Sequence, residues 1–296
     1  MKTYIKNILS STWYPDICKS ELEYKQLVKL FHPDLNKDLD SQKIVTHLNM
    51  LKNFYEKGEE YNDESGKFNT NYRLHRWKGD IQLLKKSKSN YDKLIHIAKT
   101  NFDKDSFLHF MNYFPSNLEF EGSELQYISQ YKCIPLSTVI KKIEANEKVK
   151  HINWIYSRMI ESLVLLESLG ITHAGFNPDS VFVVPEIHGI KITSFYHMCA
   201  GELSTISAKY KLFYPAQVFK TKIAGSYIDL SLIKKTAIVG LGDMSGSGVK
   251  LRSDSLINPT VLDYFLYPEA NAFNSMKKWR KILDSNFSKE FVELKI

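Results

Sequence analysis

One stretch constrains this chain more than any other: Glu23-Tyr24-Lys25-Gln26-Leu27-Val28-Lys29-Leu30-Phe31-His32-Pro33-Asp34. Helix formers run from about Ser20 to Phe31, and Ser20 with Glu23 has the S-x-x-E form of a capping box. Leu27, Val28 and Phe31 share one face, which Tyr24 extends one turn back, while Lys25 and Lys29 stand four apart on another. The helix must stop at Pro33, because a residue preceding proline is driven out of the right-handed helical region. Asn36 and Lys37-Asp38-Leu39-Asp40 then read as loop. A further helix is expected over about Ser41 to Lys57, with Ile44, Leu48, Leu51 and Tyr55 spaced 4-3-4. Two amphipathic helices joined by a short polar loop predict an antiparallel hairpin. A short helix at Tyr4–Leu9, ended by Ser10-Ser11-Thr12 and Pro15-Asp16, precedes it.

This window resembles the J-domain of DnaJ-type co-chaperones, whose pattern A-Y-R-x-L-A-x-x-Y-H-P-D meets Glu23–Asp34. A later family pattern, F-x-x-[IL]-N-x-A-Y, is met in part: Leu48 and Asn49 hold, while Leu51-Lys52 replace Ala-Tyr. The resemblance implies a DnaK-type chaperone as partner and Tyr24, Lys25, Lys29, His32, Pro33 and Asp34 as the residues that meet it. The lysines would supply charge complementary to an acidic groove, which favours rate and orientation more than affinity. Pro33 would fix the turn, and Asp34 would accept from basic groups on the partner. None of these residues is expected to be catalytic in this chain. The plainer alternative is an ordinary turn beside a solvated lysine face.

Composition sets the outer limits. A length of 296 residues suggests two domains, and 43% hydrophobic residues suffice for a sizeable core. Residues 1–60 hold nine Lys against nine Asp or Glu, so the net charge of +7 arises downstream. No Lys- or Arg-rich block stands out, and core packing explains the scattered aromatics better than base stacking, so nucleic acid is not expected as a partner. Cys18, Cys133 and Cys199 lie far apart and form no C-x-x-C pair, which fits a reducing cytosol (a host cytoplasm if the protein is viral) and excludes a zinc ribbon. His151, His188 and His197 lack metal-site spacing. Neither a cofactor nor a metal is implied. Without a signal h-region or a long apolar run, no membrane association is expected.

Residues 58–70 are polar with glycines at both ends and read as a linker. Strands are expected at Tyr72–Trp77, Asp80–Lys85, Tyr91–Lys99 and Leu125–Tyr131, with a hinge at Ile134-Pro135-Leu136. A long helix fits Asn153–Leu169, then strands Val181–Val184 and Ile190–Thr193, then mostly helix from about residue 227. Gly240–Gly246 is glycine-rich but follows a helix and lacks G-x-G-x-x-G spacing, so it reads as a cap rather than a phosphate loop.

Strands, a hinge and a helical lobe interrupted by a hairpin resemble a protein kinase. The motif H-R-D-x-K-P-x-N followed by D-F-G meets His173-Ala174-Gly175-Phe176-Asn177-Pro178-Asp179-Ser180 and Ser194-Phe195-Tyr196. His173, Pro178 and Phe195 hold. The catalytic-base position carries Gly175, the metal-binding Asn position Ser180, and the D-F-G Asp position Ser194. His96 or Lys99 would stand where a phosphate-pairing Lys belongs, and Ser106–Phe114 offers no Glu to pair with it. Phe213–Val218 resembles the A-P-E region, and Asp229 falls where kinases hold the H-R-D backbone. Phosphoryl transfer needs carboxylate and amide oxygens on Mg²⁺ and a positioned base, so the resemblance implies a pseudokinase.

The expected organisation is an all-α J-domain, a helical hairpin at 1–60, and a linker at 61–70. An α+β protein-kinase-like two-lobe domain follows at 71–296, with an N-lobe at about 71–135 and a C-lobe at about 136–296. The pairing also resembles bacterial and phage-like J-proteins that lack the catalytic Asp. The expected function is recruitment and stimulation of a DnaK-type ATPase, with the degenerate kinase domain binding a client protein of unspecified identity. Two alternatives stay open: an atypical kinase using Asp179 or another acid, and a structural or assembly protein of a virus or phage using the hairpin as an interaction surface.

Overall fold

Ser20 starts the helix that the capping signal predicts: the Glu23 N–H donates to its Oγ at 3.2 Å. In the computed structural model, which describes all residues except 1, 12, 13, 19, 37, 38, 72, 288–292, 295 and 296, the N-terminal part is helical. It comprises α1 (Lys2–Ser10), α2 (Glu21–Leu30) and α3 (Leu39–Lys57). The expected break at Thr12, the loop at Lys37-Asp38 and the strand start at Tyr72 lie outside the described residues. Ile8, Leu27, Phe31, Ile44, Leu48 and Leu51 bury together, as the 4-3-4 spacing requires, in a cluster distinct from the main core.

The expected linker is not a linker. Residues 59–63 and 66–70 form β1 (Glu59–Asp63) and β2 (Gly66–Thr70), an antiparallel hairpin at the edge of a sheet. The segment is polar because one face is exposed; its other face carries Phe68, which is 2% exposed and stacks on Tyr61. The helical unit therefore ends at Lys57, and the second unit begins at β1 rather than at residue 71.

β3 (Leu74–Gly79), β4 (Glu119–Glu121) and β5 (Glu124–Ile128) complete a sheet of order β1-β2-β3-β5-β4, antiparallel throughout. The strands expected at Asp80–Lys85 and Tyr91–Lys99 are instead one helix, α4 (Ile81–Asn101), followed by α5 (Lys104–Met111). Asp80 caps α4 by accepting from the Gln82 and Leu83 N–H groups at 2.8 and 3.2 Å. The buried positions Leu84, Ser87, Tyr91, Leu94 and Ala98 recur at 3-4-3-4, a helical period that two short windows disguise as alternation.

The helical lobe begins where expected. β6 (Ile134–Pro135) leads into α6 (Leu136–Lys142) and α7 (Lys148–Ser168). β7 (Val181–Val184) and β8 (Gly189–Ile192) form the expected hairpin, and β6 joins β7 to make a three-stranded sheet. α8 (Val218–Thr221), α9 (Ser226–Leu241), α10 (Pro259–Leu266) and α11 (Ala272–Asn286) follow. α9 is buried along most of its length and packs against α7. Gly242, at φ 119°, caps α9 in the left-handed region, so the glycine-rich run is a helix end. No described helix is long and apolar enough to cross a membrane.

Candidate functional site

The His-Pro-Asp turn projects from the end of α2. His32 O accepts from the Leu35 and Asn36 N–H groups at 3.0 and 2.9 Å, which closes the turn. The Asp34 N–H donates to His32 Nδ1 at 3.3 Å, and the Asp34 carboxylate stays 87% exposed. Tyr24, Lys25, Val28, Lys29, His32 and Leu35 line a shallow groove of 290 Å³, with Leu35 71% exposed at its end. Tyr24 is not a free contact: its hydroxyl donates to Asn49 Oδ1 at 2.5 Å, and Lys52 lies 4.4 Å from its ring centroid. It ties α2 to α3 and so orients the lysine face. The sequence-predicted docking residues are therefore contiguous, with Tyr24 mainly a brace.

The second predicted cluster is also brought together. Asp229, at the start of α9, is fully buried; its two oxygens accept from the His173 and Ala174 N–H groups, each at 2.7 Å. Burial pushes its carboxyl up, to about 7, against the opposing pull of those two N–H groups. The clamp fixes Ala174 at φ 54°, a strained value for a residue with a Cβ. The Tyr214 hydroxyl donates to Ala174 O and secures the other side. His173 is buried among Phe176 and Phe195, and burial lowers its ring to about 3, so it stays neutral.

Ser180 and Gly175, two positions of the kinase-like motif, are built into the loop. Ser180 Oγ donates to Gly175 O at 2.7 Å and accepts from the Asn177 N–H, so it builds the loop. Gly175 is crowded: a Cβ there would stand 3.2 Å from His173 Cε1 and 3.3 Å from Ser194 O. Ser194 lies at φ 63°. Asp179, the candidate base of an atypical kinase, is bound by Lys209 Nζ at 2.5 Å and the Tyr210 hydroxyl at 2.8 Å. Neither His96 nor Lys99 is on a strand; both lie on α4. The strand expected for them at Tyr91–Lys99 does not form; the strand that precedes α4 is β3, where His75 and Trp77 are buried, and α4 packs on it.

Sequence reading missed how the inner part of the cleft between the sheet and the helical lobe is filled. Phe182, from β7, meets Phe68, His75 and Trp77 edge-on at 5.8, 4.8 and 6.3 Å between ring centroids. Among Trp77, Leu84, Thr193 and Ser194 the free space is 10 Å³, room for a single water at most. The hairpin tip between β1 and β2 then crosses the cleft. Glu64 accepts from His197 Nε2 at 2.7 Å, from Ser207 Oγ, and from the Lys209 N–H at 3.1 Å. Burial would raise its carboxyl, but the His197 and Ser207 hydrogen bonds outweigh that and hold it below the usual range. The available signal was Asp63-Glu64-Ser65-Gly66, a turn sequence between Tyr61 and Phe68. Outside the latch a groove of 900 Å³ opens, lined by Tyr61, Lys141, Asp179, Lys209, Tyr210 and Leu212. No group of His, Cys, Asp and Glu among the described residues could hold a metal ion.

No family model and no curated protein matches the chain. Solved structures do. Vaccinia related kinase 3 is 11% identical, with 78% of this chain and 93% of that chain covered at a TM-score of 0.49. ROP2 from Toxoplasma gondii, reported as a virulence factor with a protein-kinase fold and no enzymatic activity, is 14% identical. It covers 76% of this chain and 77% of its own at a TM-score of 0.48. A Toxoplasma gondii rhoptry antigen kinase domain is 13% identical, covering 76% and 78% at 0.47. All three scores lie below 0.5, so they fix neither a family nor an activity.

Proposed function

We propose that this protein is a J-domain co-chaperone whose second unit is a kinase-like fold without phosphoryl-transfer activity. The single observation that carries the first half is the exposed His32-Pro33-Asp34 turn at the end of a groove bearing Lys25 and Lys29. An acidic surface on a DnaK-type chaperone would meet the lysines, and the turn would bias the partner between its two states. Chemistry would occur in the partner, since the turn holds no nucleophile or metal. The second half rests on position: Gly175, Ser180 and Ser194 stand where a kinase needs a base and metal ligands, and Phe182 and Trp77 fill the inner part of the cleft. The Asp229 clamp then serves to hold a loop, not to position a base. Binding of a client or partner falls to the wide groove beside Tyr61 and Leu212, where Lys141 and Lys211 favour an acidic segment.

The test is the steady-state ATPase of a DnaK-type chaperone with wild-type protein and with His32→Gln. Stimulation by wild type, lost on substitution, is expected. No stimulation, or stimulation indifferent to His32, would sink the proposal.

A further inference from the structure

Lys234 is out of place. It sits on α9, a helix buried on nearly all sides, and is only 2% exposed. A buried ammonium is costly unless paired. Lys234 Nζ donates to Tyr267 O at 2.8 Å and stands 4.2 Å from the Tyr264 ring centroid. The nearby carboxylate, Glu269, is already held by Lys278 Nζ at 2.6 Å. Two of the three N–H groups of Lys234 thus find no acceptor among the described residues. Burial lowers this ammonium to about 8 while the Glu269 charge pulls the other way, so at neutral pH it remains mostly charged.

Beside it lies a cavity of 620 Å³, lined by Lys234 and Lys235 together with Gln217, Tyr227, Phe265 and Tyr267. That volume falls within the range of small-ligand sites, roughly 300–1,000 Å³. It shares no lining residue with the His-Pro-Asp groove or the wide groove beyond the latch. We propose that this cavity binds a carboxylate carried on an apolar body. Lys234 supplies a preformed cation at the wall, Lys235, whose Nζ donates to Leu212 O, adds positive charge nearby, and the rings of Tyr227, Phe265 and Tyr267 cover the apolar part. A monoanion matches better than a phosphate dianion, because Glu269 also lines the space and no arginine fork is present among the lining residues.

The probes are 4-phenylbutyrate, its uncharged amide, and the blocked dipeptide acetyl-Phe-Glu-amide, titrated into the full chain by calorimetry. Saturable binding of either carboxylate, at least about tenfold tighter than the amide, is expected. Preference for 4-phenylbutyrate assigns a free acid as ligand; preference for the dipeptide assigns an acidic side chain of a partner. Lys234→Met should weaken the carboxylate about tenfold or more and leave the amide unchanged. Should that variant not fold, the exposed Gln217→Glu, which adds a competing carboxylate at the wall, should weaken binding to a similar extent. Equal affinity for acid and amide, no carboxylate binding up to about 10 mM, or affinity indifferent to these substitutions would overturn the proposal.

Discussion

Asp229 shows what a single buried side chain contributes at the residue scale. Both of its oxygens are committed to backbone N–H groups, and Asn can offer only one acceptor while its NH₂ faces the other N–H. Asp229→Asn is therefore expected to destabilise the chain by about 3 kcal/mol in urea denaturation, by leaving a buried donor opposed. His75 makes a pH-dependent contribution. It is 1% exposed, and burial lowers its ring from 6.5 to about 3. The unfolded chain takes up a proton below pH 6.5 that the folded ring refuses until about pH 3. Stability on this account rises with pH across that window and is lost as pH falls. His75→Phe keeps a ring stacked on Tyr127 and edge-on to Phe182, and removes the titration. The stability difference between pH 7 and pH 5 should shrink in that variant by roughly 2 kcal/mol. An unchanged pH profile would contradict the assignment. Glu64 adds a separate, more acidic contribution, since its depressed carboxyl stabilises above the unfolded value of 4.5 and is lost as pH falls through its folded value.

At the scale of elements, the cleft decides whether the degenerate motif could be repaired. Restoring carboxylates with Gly175→Asp and Ser194→Asp is not expected to restore nucleotide binding, because the space around Ser194 is closed and the 900 Å³ groove that remains is lined by neither Gly175 nor Ser194. Addition of ATP and Mg²⁺ is expected to leave the melting temperature of wild type and of the double variant unchanged. A rise in either would favour the atypical-kinase alternative. The same elements mark how much the sequence disclosed. α2 was legible because periodicity, the Ser20 cap and Pro33 agreed; α7 because Ile155, Met159, Leu163 and Leu166 repeat at 4-4-3; β7 and β8 because two apolar runs flank Pro185–Gly189. Asp229 was legible because it falls at the start of a long apolar helix. The hairpin β1–β2 was not, since an edge strand with one exposed face has a polar composition close to that of a linker. α4 was misread because its exposed lysines interrupt the apolar positions, leaving windows too short to separate a period of two from 3.6. The latch was beyond reach altogether: Glu64, His197 and Ser207 are joined by tertiary structure alone.

Across the whole molecule, two cores of unequal size share one chain. The helical unit buries Ile8, Leu27, Phe31, Ile44 and a few neighbours, while the main core runs from Phe68 to Leu294. Between them stand polar contacts: Arg73 pairs with Asp16 at 3.2 Å, Asn71 Nδ2 donates to Tyr55 O at 3.2 Å, and Arg76 lies over the Tyr55 ring. An ion pair of that exposure adds little stability, so the smaller core does not inherit much from the larger. Stability should then be distributed in two cooperative units rather than one. Native-state hydrogen exchange is expected to release the amides of α2 and α3 by a sub-global opening, well before those of α7 and α9. Arg73→Ala should change that opening by less than about 1 kcal/mol. Leu48→Ala, in the small core, should lower it by about 2–4 kcal/mol while leaving α7 and α9 protection unchanged. A single common opening energy for all four helices would refute the two-core reading. Independence of this kind suits the proposed role, because a unit that is to dock on a chaperone could then be loaded without disturbing the second unit.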